Sequence, residues 1–223
     1  MFLLFLAVDS GAAERAAPDF SLDNWDGKSI SRQELKGKVV VLTFSYAYCS
    51  GLCPIITARL SAFDESVRKP GDIVYLHISV DPSADTPERR KNYFKLYGLD
   101  AEKDGRWLFL SGQKKELQKL WKYYGIKTVK FKDRKLPQGY FMKFTPYVAV
   151  IDKEGIIRLE TDFGFADEEM KGLVQRLAGI PSIKFSETRF EAGKVKEGEI
   201  IKRDFEFVNE GSEVLKISDL VPA

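Results

Sequence analysis

Val39-Val40-Val41-Leu42-Thr43-Phe44-Ser45-Tyr46-Ala47-Tyr48 runs directly into Cys49-Ser50-Gly51-Leu52-Cys53-Pro54. The first part is strongly apolar on both faces of an extended chain. That predicts a strand covered on both sides, as in a parallel sheet. The second part turns the chain: Gly51 permits a sharp bend, and Pro54 suits the first turn of a helix, where a missing N–H costs nothing. Cys49 and Cys53 are the only 2 cysteines of the chain. Held this close, two sulfurs can close a disulfide or grip one soft metal ion. A lone cysteine is usually a small core residue. A pair at a helix start, where the amide dipoles favour thiolate, points to thiol chemistry, with a purely structural disulfide as the plainer alternative.

The surrounding composition narrows the options. A chain of 223 residues with 44% hydrophobic content can form one ordinary domain plus something small. A net charge of +2 gives no indication of a nucleic-acid partner. A single histidine makes a conventional zinc site hard to build. Residues 1–16 resemble a secretory signal: Met1-Phe2-Leu3-Leu4-Phe5-Leu6-Ala7-Val8 is a short apolar run, and Gly11-Ala12-Ala13 offers small residues for cleavage. The run is too short to span a bilayer. It predicts an extracytoplasmic protein, periplasmic or membrane-associated through its N-terminus, in a compartment where a disulfide can persist.

Working outward, Asn24-Trp25-Asp26-Gly27-Lys28 reads as a hairpin turn. The pattern after Pro54 is helical to Val67, with Ile55, Ile56, Leu60 and Phe63 expected on one face. Ile73–Val80 repeats the doubly apolar strand pattern, so strand, helix and strand form a βαβ unit. Thr86 is expected to cap a helix with Pro87 in its first turn, Trp107–Leu110 to form a short strand, and Ser111 to cap a helix through Tyr124. Residues 127–144, basic and aromatic-rich, read as a solvated loop on the cysteine side, a candidate docking surface for an acidic partner. Tyr147–Ile151 and Ile156–Glu160 read as a hairpin, followed by a helix over Asp167–Ala178. The order β-α-β, helices, then β-β-α matches a thioredoxin-like α/β fold: a central mixed sheet flanked by helices. His77, the sole imidazole, lies inside an apolar strand and reads as a core residue before it reads as a ligand.

With these elements placed, residues 18–178 resemble the Sco/SenC family. The resemblance rests on Phe20-Ser21-Leu22, Leu35-Lys36-Gly37-Lys38, Cys49-x-x-x-Cys53-Pro54, Ile78-Ser79-Val80-Asp81-Pro82, Asp85-Thr86-Pro87-Glu88 and Val150-Ile151-Asp152-x-x-Gly155. It implies a thioredoxin-like protein that works in cytochrome oxidase copper-site assembly by thiol chemistry, copper delivery, or both. In the redox reading Cys49 attacks, Cys53 resolves, no cofactor is required, and the partner is a protein thiol or disulfide, such as one on an oxidase subunit. In the copper reading Cys49 and Cys53 are the ligands of Cu(I). The family's copper site adds a histidine where this chain has Phe144, which cannot ligate a metal. Pro146 stands where thioredoxin-like oxidoreductases carry a proline facing the sulfurs. The resemblance implies a cis peptide there, with Pro146 part of the catalytic surface; a trans proline that merely starts an edge strand is the plainer alternative. A peroxide-reducing enzyme on this fold would carry Thr three residues before the reactive cysteine, and Tyr46 stands there instead.

The domain expected to carry this chemistry spans 17–180. Residues 181–223 resemble the first half of a bacterial Ig-like domain. Three short strands are expected there, around Phe190–Glu199, Phe205–Gly211 and Leu215–Ile217, as an incomplete all-β segment.

Overall fold

The protein is described here by a computed structural model covering residues 14–67, 72–162, 164, 167–180, 183–194, 196, 198, 201–209, 214, 215 and 217. The apolar N-terminal run lies outside the described residues. Two short strands, β1 (Ser21–Asp23) and β2 (Ser29–Ser31), form the expected opening hairpin. The doubly apolar stretches become β3 (Val39–Ser45) and β4 (Ile73–Ser79), and every residue of both strands is buried. They run parallel, joined through α1 (Leu52–Val67). After β4 come α2 (Pro87–Lys95), α3 (Ala101–Asp104), β5 (Trp107–Leu110) and α4 (Lys114–Tyr123).

Next come β6 (Thr128–Lys132), β7 (Tyr140–Phe144), β8 (Val148–Ile151), β9 (Ile157–Thr161) and α5 (Asp167–Ala178). The main sheet has the order β5-β4-β3-β8-β9. Its β3, β4 and β5 are parallel, β8 runs antiparallel to β3, and β9 runs antiparallel to β8. This is the mixed sheet of a thioredoxin-like fold. Because β3 is central, its C-terminal end, where the cysteines begin, opens at the carboxyl edge of the parallel strands. That edge is where α/β sheets bind ligands.

Several local expectations change. Ile55 is 46% exposed, and the buried face of α1 is instead Cys53, Ile56, Thr57, Leu60, Phe63 and Val67. Starting the helix at Leu52 rotates Ile55 outward and Cys53 inward. Thr86 and Pro87 begin α2 as expected, the Thr86 hydroxyl accepting the Arg89 N–H. Ser111 does not cap α4. It exchanges two backbone hydrogen bonds with Asp23, and the helix begins later, after Gln113. Residues 127–144 are not a loop: β6 and β7 form an antiparallel hairpin with Phe131 opposite Phe141.

Beyond α5, β10 (Ile183–Phe185) pairs with β11 (Phe207–Asn209), and both strands are exposed. Among the described residues no strand forms over Phe190–Glu199 or Leu215–Ile217. Within the expected Phe205–Gly211 segment, Phe207–Asn209 is the part that pairs, and its partner is Ile183–Phe185.

Candidate functional site

β3 ends at Ser45 and the chain turns through Tyr46 and Ala47 before Cys49, whose N–H donates to the Tyr46 carbonyl at 3.1 Å. α1 then starts, and Cys49 and Cys53 are joined by a disulfide. Among the described residues no cysteine is free. The two sulfurs are unequal. Cys53 is fully buried against the core, whereas Cys49 is half-buried and lines an open groove. The Cys53 N–H points to Cys49 Sγ at 3.4 Å, so a first-turn amide faces the outer sulfur.

The loop is held by a buried carboxylate. Asp85 accepts the Ala47 N–H at 2.7 Å with one oxygen and the Ser79 hydroxyl at 2.5 Å with the other. Burial pushes the Asp85 carboxyl up to about 7, against the opposing pull of these two hydrogen bonds. Arg90, also buried, donates to the carbonyls of Asp85, Asp23 and Phe109, at 3.2, 2.6 and 2.7 Å. Asp81 accepts the Ser83 hydroxyl at 2.6 Å and the Tyr140 hydroxyl at 2.6 Å. That second bond ties β7 to the end of β4.

The groove has a volume of about 400 Å³. Cys49 to Leu52 form one side; Asp133, Leu136 and Phe141 to Phe144 form the other, with Tyr46 and Pro146 completing it. Tyr46 joins the sides: its hydroxyl accepts the Met142 N–H at 3.2 Å, and its ring meets Phe144 edge-on at 6.2 Å between centroids.

Pro146 is therefore beside Cys49, but its peptide bond is trans, since no cis peptide occurs among the described residues. The cis expectation fails because Thr145 is already committed to the base of the hairpin. Its N–H donates to the Lys127 carbonyl at 3.1 Å, and its hydroxyl accepts the Lys127 N–H at 3.1 Å. The chain continues extended into β8, and trans is the favoured isomer before proline.

Phe144, the position at which the resemblance implies a histidine, lines the groove. His77 does not replace it. It is fully buried, its Nδ1 lies 3.0 Å from the Ser45 hydroxyl, and Tyr93, Phe94, Trp107 and Phe109 surround its ring. Burial lowers its pKa to about 3. Among the described residues no group of three His, Cys, Asp or Glu side chains could hold a metal ion.

Sequence reasoning brought Cys49, Cys53, Phe144 and Pro146 to one place. It did not assign roles to Asp81, Asp85, Arg90, Tyr46, Met142 or Tyr140. For Asp81 and Asp85 the signal was present, in the quoted Val-Asp-Pro and Asp-Thr-Pro runs, although nothing in those runs says which donors each carboxylate would meet.

The chain is 32% identical over 94 residues to the SCO1 protein homolog of Bacillus subtilis, an overlap covering 42% of this chain and 47% of that protein. It is 28% identical over 138 residues to the mitochondrial protein SCO2 of Saccharomyces cerevisiae, covering 61% and 44%. The chain thus spans about half the length of these curated relatives. The copper-bound structure of ScoI from Bradyrhizobium japonicum aligns with a TM-score of 0.62 at 26% identity, over 73% of this chain and 99% of that one. The family model described as SCO1/SenC matches residues 8–179, and with that match the chain belongs to the SCO1/SenC family.

Proposed function

We propose that this chain is an exported Sco-type thiol–disulfide oxidoreductase that acts on cysteine pairs during assembly of the cytochrome oxidase copper site. The observation that carries the reading is the asymmetry of the disulfide: Cys49 borders the groove, and Cys53 is sealed behind it. In the reduced protein the Cys49 thiolate attacks one sulfur of a partner disulfide. A mixed disulfide forms and one partner thiolate leaves. Cys53, deprotonated, then attacks Cys49, the second partner thiolate departs, and the intramolecular disulfide is restored. Two electrons pass to the partner, and the reverse sequence oxidises a partner dithiol.

The amide facing Cys49 Sγ favours its thiolate, and the Asp85–Ala47 hydrogen bond fixes the loop that carries it. Pro146 and Phe144 supply an apolar wall against which an extended partner segment can lie, and a trans Pro146 serves that wall. The domain over 17–180 holds every group this chemistry uses.

Trapping tests the reading. Cys53→Ser should accumulate a mixed disulfide through Cys49, and Cys49→Ser should abolish exchange with a protein dithiol. Exchange by Cys49→Ser at the wild-type rate would overturn it.

The likeness to a copper-bound ScoI supports a second reading, in which the reduced pair carries Cu(I) as cargo. Soft thiolates suit that ion, and two can hold it linearly. Phe144 and the buried His77 leave the pair without a nitrogen ligand, which favours Cu(I) over Cu(II). Anaerobic Cu(I) titration against a competing chelator decides this reading, and binding no tighter than about micromolar would rule it out.

A further inference from the structure

We propose that Met142 supplies a third sulfur to Cu(I) held by the reduced Cys49–Cys53 pair, making an all-sulfur site that retains Cu(I) and excludes Cu(II). This inference rests on the copper reading above. Three observations lead to it. First, Met142 and Cys49 line the same groove. Second, burial alternates along β7: Tyr140, Met142 and Phe144 are half-buried, while Phe141 and Lys143 are exposed. Strand alternation therefore places Met142 on the same face as Phe144, one pleat further along. The face that presents an inert phenyl ring at one position presents a thioether at the next.

Third, one residue fixes both donors. The Tyr46 carbonyl accepts the Cys49 N–H at 3.1 Å, and the Tyr46 hydroxyl accepts the Met142 N–H at 3.2 Å. The backbone under Met142 is thus referenced to the backbone under Cys49 through a single side chain. A long, unbranched thioether adapts to its surroundings. Thioether and thiolate are both soft donors, the set that selects Cu(I). Loading requires the disulfide to be opened first by a two-electron reductant, such as a small dithiol. The two thiol protons then leave as the ion binds, while the neutral thioether releases none.

The alternative role for Met142 is gap filling, and Met142→Leu separates the two because it conserves volume and removes only the sulfur. The full chain, reduced and loaded anaerobically with Cu(I), is measured by X-ray absorption and by chelator competition. Wild type should show three sulfur scatterers and Met142→Leu two. The variant should bind Cu(I) about tenfold more weakly or worse. Its disulfide midpoint potential should stay at the wild-type value. Two sulfurs in wild type, with Met142→Leu binding equally well, would overturn the role of Met142 and leave the copper reading standing. No Cu(I) binding by wild type would overturn both.

Discussion

On one side of the groove, β3 buries all of its residues; on the other, β7 buries only alternate ones. The first side has two parallel or antiparallel neighbours along its length, a packed core on both faces, and a loop tied down by Asp85. The second is a two-stranded hairpin that reaches the rest of the molecule through a few contacts, among them Tyr140 to Asp81, Met142 to Tyr46, and the Phe144 ring against that of Tyr46. The difference separates two tasks. Under the proposed function, sulfur chemistry would use the fixed geometry at the end of the buried strand, and recognition of a partner would fall to the exposed hairpin. If this division is real, substitutions on the first side should cost global stability, and substitutions on the second should cost contact with partners.

The largest effect is expected from Arg90→Met. The guanidinium is 4% exposed and satisfies three backbone carbonyls, two of which belong to distant parts of the chain. Removing it leaves buried acceptors unpaired and strips Asp85 of a neighbouring cation, a loss of about 3 to 5 kcal/mol. Urea unfolding of the oxidised protein measures it, and a loss under ~1 kcal/mol would mean that this side is less fixed than its burial implies.

Next is a pH effect. His77 is buried as the neutral ring with a pKa lowered to about 3, while in the unfolded chain it titrates near 6.5. The unfolded state binds the extra proton first, so the contribution of His77 to stability is complete above about 6.5 and is lost as pH falls toward about 3. Asp85 works in the opposite sense. With its carboxyl raised to about 7, the folded state binds the proton first, and stability is lost as pH rises through that value. Urea midpoints of wild type and His77→Gln, compared at several pH values from 7 to 4, isolate the histidine. The variant should lose less stability on acidification, and parallel curves would contradict the assignment.

These two predictions also show what was legible beforehand. The runs at 39–48 and 73–80 announced doubly buried strands because apolar residues occupy both faces, and the cysteine turn followed from Gly51 and Pro54 at the end of the first run. Arg90 was opaque, since a charged residue read locally looks solvated, and the runs that carry Asp81 and Asp85 did not say which groups tertiary packing would bring to each carboxylate. Ser111 misled for the same reason: its partner is Asp23, far away in sequence. The hairpin over 128–144 carries no clean period of two, because Tyr140, Phe141 and Met142 are apolar in succession. The density of lysines, and the Pro137–Gly139 stretch between the strands, made it read as a loop.

A smaller, local effect is expected where the two sides are latched. Tyr140→Phe deletes the hydroxyl that donates to Asp81 and should weaken the hairpin by about 1 kcal/mol. Amide exchange should speed up across 128–144 and stay at wild-type rates in β3 and β4. Acceleration in β3 as well would mean that the two sides unfold as one unit.

The smallest effect on the fold, and the sharpest test of the division, comes from the exposed aromatic pair. Phe131 and Phe141 are 42% and 39% exposed, sit opposite one another in the hairpin, and stack at 5.1 Å between centroids. A cross-strand pair of this kind contributes about 0.2 to 1 kcal/mol, so Phe141→Ser should barely move the global midpoint. Yet Phe141 borders the groove opposite Cys49, and an apolar ring left in water beside a reactive sulfur is a cost unless something covers it during exchange. The variant should therefore react with a small dithiol at the wild-type rate, because that reagent needs only the sulfur. It should exchange more slowly with a protein dithiol, because that partner must also lie against the hairpin. Equal slowing with both reagents would place Phe141 in the chemistry rather than in recognition, and equal wild-type rates with both would remove the hairpin from the encounter altogether.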